Sequence, residues 1–218
     1  MDRPHADRPP GSPDSPPAGF AMLIGFMGAG KSTVGAELGV QLGWPFIDLD
    51  DLIAAEANMT IAEAFDRYGE SHFRASESRH LNETLNLPRP MVLAVGGGIV
   101  ESPDNRRMIA ALAPGQVFYL EAPLTEMVRR CMEQARAADK PLSLRPVLAD
   151  AEERFERRQD HYIALGHPVP TLGRSPQQIA ASIVRLLQIN SQPVAAPDPT
   201  HDAARDPATA HPEVKHER

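Results

Sequence analysis

A single cysteine in 218 residues, Cys131, removes internal disulfides from consideration, and no Cys/His cluster has the spacing of a zinc site. No apolar run approaches the roughly 18 consecutive residues that a membrane-spanning helix needs. Residues 1–19 lack the apolar stretch of a secretory signal. Positive charge is scarce as well. Lys and Arg number 22 against 29 Asp and Glu, a net charge of −7, whereas nucleic-acid binding calls for a basic footprint. These absences predict a reduced, cytoplasmic setting with neither membrane nor nucleic acid as a partner. An anionic ligand must then be held by local cations and backbone dipoles.

Proline is plentiful but unevenly spread. Six of the 22 prolines fall in residues 1–19 and five in residues 191–218. Neither stretch has enough large apolar residues to offset chain entropy, so both are expected to be disordered tails. They carry charges of −1 and −2, leaving −4 on residues 20–190, which are expected to form one domain. Four of the eight histidines (His5, His201, His211, His216) sit in the tails without pattern, and no metal role is assigned to them.

Inside the domain, short apolar runs alternate with helical spacing. The runs are Phe20–Ile24, Pro45–Ile47, Met91–Val95, Val117–Leu120 and a weaker Pro168–Thr171. A helix is expected over residues 32–42, stopped by Gly43. Thr60 with Glu63, Ser102-Pro103 and Ser175-Pro176 with Gln178 each mark a helix start. Apolar strands alternating with helices predict an α/β fold, a parallel sheet covered on both faces. Ligands of such sheets bind beyond the carboxyl ends of the strands.

Directly after the first run stands Gly25-Phe-Met-Gly28-Ala-Gly30-Lys31-Ser32, which fits the phosphate-binding loop. Small residues let several backbone N–H groups turn toward one anion, and the following helix adds its positive end. Lys31 supplies a mobile charge for the β- and γ-phosphates, and Ser32 a hydroxyl for Mg²⁺. No Asn-Lys-x-Asp run for guanine follows and the domain is short for a motor, so a compact kinase is favoured.

The second run ends in Asp48-Leu-Asp50-Asp51. On a strand, Asp48 and Asp50 would face the same way, one carboxylate for Mg²⁺ and one to orient an attacking hydroxyl. Alternatively Asp50 simply caps the next helix. Arg74 and Glu77, three apart on an expected helix, form either a braced guanidinium that grips a ligand carboxylate or an ordinary surface pair. Gly96, Gly97 and Gly98 end the third run, where a ligand can approach bare backbone.

These residues, in this order, resemble shikimate kinase over about residues 20–188. The resemblance implies a nucleoside-monophosphate-kinase-type, three-layer α/β/α fold with a five-stranded parallel sheet in the order 2-3-1-4-5. It implies transfer of the γ-phosphoryl of ATP to the 3-hydroxyl of shikimate, with Mg²⁺, in aromatic amino-acid biosynthesis. By similarity Lys31, Asp50 and Arg145 are catalytic, and Ser32 and Asp48 serve the metal. Nucleotide contacts are implied for Gly28, Ala29, Gly30, Lys31, Ser32, Thr33, Arg130 and Arg145. Asp50, Arg74, Gly96, Gly97, Gly98 and Arg158 are implied for the substrate.

The later half departs from the family pattern. Arg157-Arg158-Gln-Asp-His-Tyr162 keeps Arg and Tyr four apart but has Asp-His where the family has Pro-Leu. One helical turn lets Tyr162 brace Arg158. Arg130 matches an arginine that stacks on adenine, with a solvated helix face as the alternative. Cys131 reads as a small, partly buried thiol. A lid is expected at about residues 138–149, where Lys140-Pro141 and Arg145-Pro146 compete for the family's lid arginine; the planar fork favours Arg145. The expected partners are ATP and shikimate, and the expected state is a monomer. The alternatives are a related gluconate-type kinase or a non-catalytic kinase-like sensor of similar acids.

Overall fold

The structure, a computed structural model, describes residues 19–137 and 150–190. The expected tails (Gly19 apart) and the expected lid, with Lys140 and Arg145, lie outside the described residues. Five parallel strands form one sheet in the order β2-β3-β1-β4-β5. They are β1 Phe20–Ile24, β2 Phe46–Asp48, β3 Met91–Ala94, β4 Val117–Glu121 and β5 His167–Pro170. The helices are α1 Lys31–Leu42, α2 Leu49–Ala57, α3 Ile61–Leu85, α4 Pro103–Ala110, α5 Leu124–Ala137, α6 Ala151–Leu165 and α7 Pro176–Asn190, with a 3₁₀ turn at Ile99–Glu101.

Burial explains the strand order. Every residue of β1 and β3 is buried, as strands covered on both faces require, and β1 pairs with β3 on one side and β4 on the other. The edges are built from other material. β5 reads His-Pro-Val-Pro with only Val169 buried, and its prolines are tolerated because an edge strand need not donate on both sides. β2 is three half-buried residues long.

Helix α1 lies close over β2. A Cβ at Gly35 would come within 2.2 Å of the Phe46 ring, and one at Gly39 within 3.2 Å of the Phe46 Cβ. Two helical glycines cost about 0.5–1 kcal/mol each relative to alanine, and here they set the approach that aims the N-terminus of α1. The expected start signals all form: Thr60 and Glu63 make a reciprocal capping box, and Ser102 and Ser175 accept from Asn105 N and Gln178 N. Gly43 closes α1 in the left-handed region at φ 66°. Within α3, Gly69 breaks the helical path at φ 78° and ψ 169°. Among the described residues no helix is long and apolar enough to cross a membrane.

Candidate active site

The carboxyl ends of β1, β2 and β3 converge on one cleft. After β1 the chain turns through Gly28 and Gly30, both at positive φ (73° and 93°), where a side chain would be strained. Gly28 also leaves no room, since a Cβ there would lie 2.1 Å from the Met127 carbonyl oxygen. Helix α1 has neither a capping side chain nor an acidic residue in its first turn, so its positive end is left for an incoming anion. Lys31 Nζ donates to the carbonyls of Gly25 and Phe26 at 2.9 and 3.0 Å, which holds the loop curled. A cavity of about 220 Å³ is lined here by Gly28, Gly30, Lys31, Ser32, Asp48 and Asp50, with Thr33 and Arg130 at its walls. Ala29 is buried under the loop.

The two aspartates reach this cavity by a different route from the one expected. Asp50 is not on the strand. β2 ends at Asp48, and Asp50 stands in the first turn of α2. The capping residue is Asp48, whose Oδ1 accepts from Asp50 N at 3.1 Å. The side-chain oxygen of an aspartate satisfies an orphan helix N–H so well that the helix starts at once, which overrides a one-residue continuation of the strand. Asp48 Oδ2 accepts from Ser32 Oγ at 2.6 Å. The helix turn still directs both carboxylates to the same cavity. Asp50 Oδ1 is buried and has no partner among the described residues.

Arg74 and Glu77, on α3, face the same cleft. Arg74 Nη1 donates to Glu77 Oε2 at 2.7 Å, and Glu77 is fully buried, so this is no surface pair. The glycine run explains how they fit. A Cβ at Gly98 would lie 2.2–2.4 Å from the Arg74 guanidinium, and one at Gly96 would lie 2.5 Å from Glu77 Oε1 and 2.9 Å from Asp50 Oδ1. Bare backbone at Gly96 and Gly98 therefore makes room for the protein's own Arg74, Glu77 and Asp50 side chains. Gly97 packs against the phosphate loop, 3.3 Å from Gly25 O to its would-be Cβ.

Arg158, on α6, is buried at the same cleft. The Tyr162 hydroxyl lies one turn further along α6, where burial raises its pKa and the Arg158 charge pulls it back. It donates to the Gly97 carbonyl. Glu101, at the end of the 3₁₀ turn, lies between the two arginines. Its Oε1 is 3.0 Å from Arg158 Nε and 3.1 Å from Arg157 Nη2, and its Oε2 is 3.4 Å from Arg74 Nη2. Arg74, Glu101, Arg157 and Arg158 line a cavity of about 890 Å³.

Burial and neighbours set the charges. Removal from water pushes Asp50 above the usual carboxylate range, Asp48 adds to the push, and Lys31 and Arg74 pull back. Burial likewise raises Glu77 against the pull of Arg74. Burial lowers Lys31, and the two aspartates partly restore it. The Cys131 thiol is half-buried and pushed up by burial, as expected of an unreactive thiol.

Arg130 stands at the outer wall of the phosphate cavity. Its Nε donates to Glu126 at 2.8 Å, and its Nη1 and Nη2 to the hydroxyl and carbonyl of Thr171 at 3.1 and 3.2 Å. Its neighbour Arg129 takes the solvated face, paired with Glu126 and Glu133. Sequence reasoning did not single out Glu101, Glu126 or Thr171. Thr171 carried a faint signal, as a polar residue closing the fifth apolar run; Glu101 carried none.

Residues 27–188 match the family model described as shikimate kinase. The shikimate kinase of Enterococcus faecalis is 34% identical over 168 residues, covering 77% of this chain and 97% of that relative. The chain belongs to the shikimate kinase family. The shikimate kinase of Macrococcus caseolyticus is 48% identical over 142 residues, 65% of this chain and 80% of that one. Among solved structures, shikimate kinase from Acinetobacter baumannii in complex with shikimate superposes with a TM-score of 0.68 at 29% identity, covering 79% of this chain and 94% of that one. Membership in the shikimate kinase family makes the chain an ATP-using kinase and disfavours the gluconate-type and sensor alternatives.

Proposed function

We propose that the protein phosphorylates the 3-hydroxyl of shikimate with ATP, and that the residues lining the cleft divide the work. The observation that carries this reading is the unpartnered Asp50 Oδ1, a buried acceptor between the Lys31 loop and the Arg74 and Arg158 guanidiniums. A buried acceptor without a donor costs about 1–3 kcal/mol, and a substrate hydroxyl supplies the missing donor.

In this scheme the loop N–H groups, Lys31 and the α1 terminus hold the β- and γ-phosphates, and Arg130 lies flat against the adenine. Arg74 and Arg158 grip the acid's carboxylate, which turns its hydroxyl toward Asp50. The hydroxyl oxygen bonds to the γ-phosphorus as the bond to the ADP oxygen breaks, and Asp50 receives the hydroxyl proton. The raised affinity of Asp50 for protons suits that role. Positioning and charge neutralisation carry the rate, as phosphoryl transfer asks little covalent chemistry of a protein. Arg145, ahead of Lys140, is assigned to the transferring group.

Mg²⁺ fits the corner where Ser32 Oγ and Asp48 Oδ2 meet at 2.6 Å, two hard oxygen donors beside the phosphate cavity. When bound it neutralises phosphate charge. We assign the protein to a reduced cytoplasm, with no membrane or nucleic acid as partner, on its single cysteine and acidic balance, and we assign it a monomeric state. A coupled ADP-release assay with shikimate, quinate and gluconate tests the activity. Turnover is expected with shikimate well above the other two; faster turnover of gluconate, or none of shikimate, overturns the reading.

A further inference from the structure

We propose that Glu101 is a built-in counter-ion seated where the substrate carboxylate binds, and that it yields Arg74 and Arg158 to the substrate by moving onto Arg157. The inference rests on the reading of Arg74 and Arg158 as the carboxylate clamp. One carboxylate bridges three guanidiniums here, at 3.0 Å from Arg158, 3.1 Å from Arg157 and 3.4 Å from Arg74. Its placement is constructed. Arg106 Nη1 donates to the carbonyls of Val100 and Glu101 at 2.7 and 3.0 Å, and Asn105 Nδ2 donates to Ile99 O at 3.1 Å, so the first turn of α4 pins the 3₁₀ turn that carries Glu101.

Two opposed effects follow from a carboxylate in that seat. It screens the repulsion between neighbouring guanidiniums, which favours an assembled clamp, and it competes with any incoming carboxylate, which weakens binding. The other contacts decide between them. Arg74 is anchored by Glu77 at 2.7 Å and by Glu70 at 3.2 Å. Arg158 is buried, with its guanidinium over the Phe26 ring at 5.8 Å. Both arms keep their positions without Glu101, so competition is the larger effect.

Arg157 gives the displaced carboxylate a destination. It is more than half exposed, it already touches Glu101 Oε1, and it stands at the rim of the cavity. Exchange therefore keeps Glu101 paired while it frees the two inner guanidiniums. A small anion that touches only the guanidiniums gains little by displacing Glu101. An acid that also reaches Asp50 recovers the difference, so Glu101 acts as a specificity-determining residue.

The test is steady-state kinetics of the wild type, Glu101→Gln, Arg157→Gln and the double variant, at low ionic strength. Glu101→Gln keeps the shape and removes the charge. It is expected to lower the shikimate KM about three- to tenfold, the span of a partly exposed charged contact, with kcat within twofold, and to make acetate a stronger inhibitor. Arg157→Gln is expected to raise the KM in the wild-type background and to leave it unchanged in the Glu101→Gln background. An unchanged or higher KM in Glu101→Gln overturns the competition, and an equal effect of Arg157→Gln in both backgrounds overturns the exchange onto Arg157. If the wild type itself fails to turn over shikimate, it is the proposed function that falls.

Discussion

The two halves of the cleft hold their cations in opposite ways. On the phosphate side, Lys31 rests on the carbonyls of Gly25 and Phe26, groups supplied by its own loop within six residues. On the acceptor side, Arg74 and Arg158 rest on carboxylates drawn from α3 and the 3₁₀ turn, up to 57 residues apart in sequence. The first arrangement is a property of a short stretch of backbone. The second exists only once the sheet has brought distant elements together. A backbone cradle tolerates changes elsewhere, whereas a side-chain lattice transmits them.

Four experiments probe this contrast. The largest effect is expected at the junction of the halves. Asp50→Asn should cut kcat by about 10²- to 10⁴-fold while ATP binding, measured by calorimetry, stays near wild type. Strong loss of ATP binding would mean the halves are not separable. Next, Arg74→Ala should raise the shikimate KM by roughly 10- to 100-fold, the worth of a charge-assisted pair, and leave the ATP KM alone. Gly98→Ala should reproduce much of that loss, about tenfold, because its methyl would displace the Arg74 guanidinium. An unaltered KM in Gly98→Ala would refute the lattice account of the glycine run. The smallest effect separates two adjacent arginines. Arg130→Ala should raise the ATP KM about two- to fivefold, and Arg129→Ala, on the solvated face, should change nothing measurable.

A pH series sharpens the same picture through stability. Burial raises Asp50 above its ordinary value, so its charged form is disfavoured in the folded protein. Its stabilising contribution is fully present below the ordinary carboxylate value and is lost as pH rises through the raised one. Asp50→Asn lacks that loss. Its melting temperature, compared with wild type, should gain a few degrees at about pH 8 and less at about pH 5. A gain that grows toward acid would reverse the assignment.

The phosphate half was readable because its chemistry is written contiguously: the glycine spacing, Lys31 and Ser32 needed only a strand before and a helix after. Helix starts are legible for the same local reason, whereas the sheet order follows only from the family resemblance. Asp48 ends β2 as the spacing predicts, but Asp50 stands in the first turn of α2; a strand's alternation and a helix's first turn both direct the pair to one side. The capping strength of Asp48 decided between them, and that is a contest of hydrogen bonds that spacing does not display. Arg74, Glu77 and Arg158 could be nominated, but what Gly96 and Gly98 make room for depends on α3 packing against the glycine run and 3₁₀ turn that follow β3. Glu101 was invisible because its three partners lie on α3 and α6, and nothing in the local sequence marks a carboxylate that bridges helices.

The contact between the Arg74 guanidinium and the bare Cα of Gly98 also bears on redesign. The arginine lies on the main chain as on a shelf, so shortening that arm alone would open a void above it. A variant meant to accept uncharged polyols has to rebuild both together, for instance Arg74→Ala with Gly98→Ser, so that the new hydroxyl occupies the vacated space and greets a neutral acceptor.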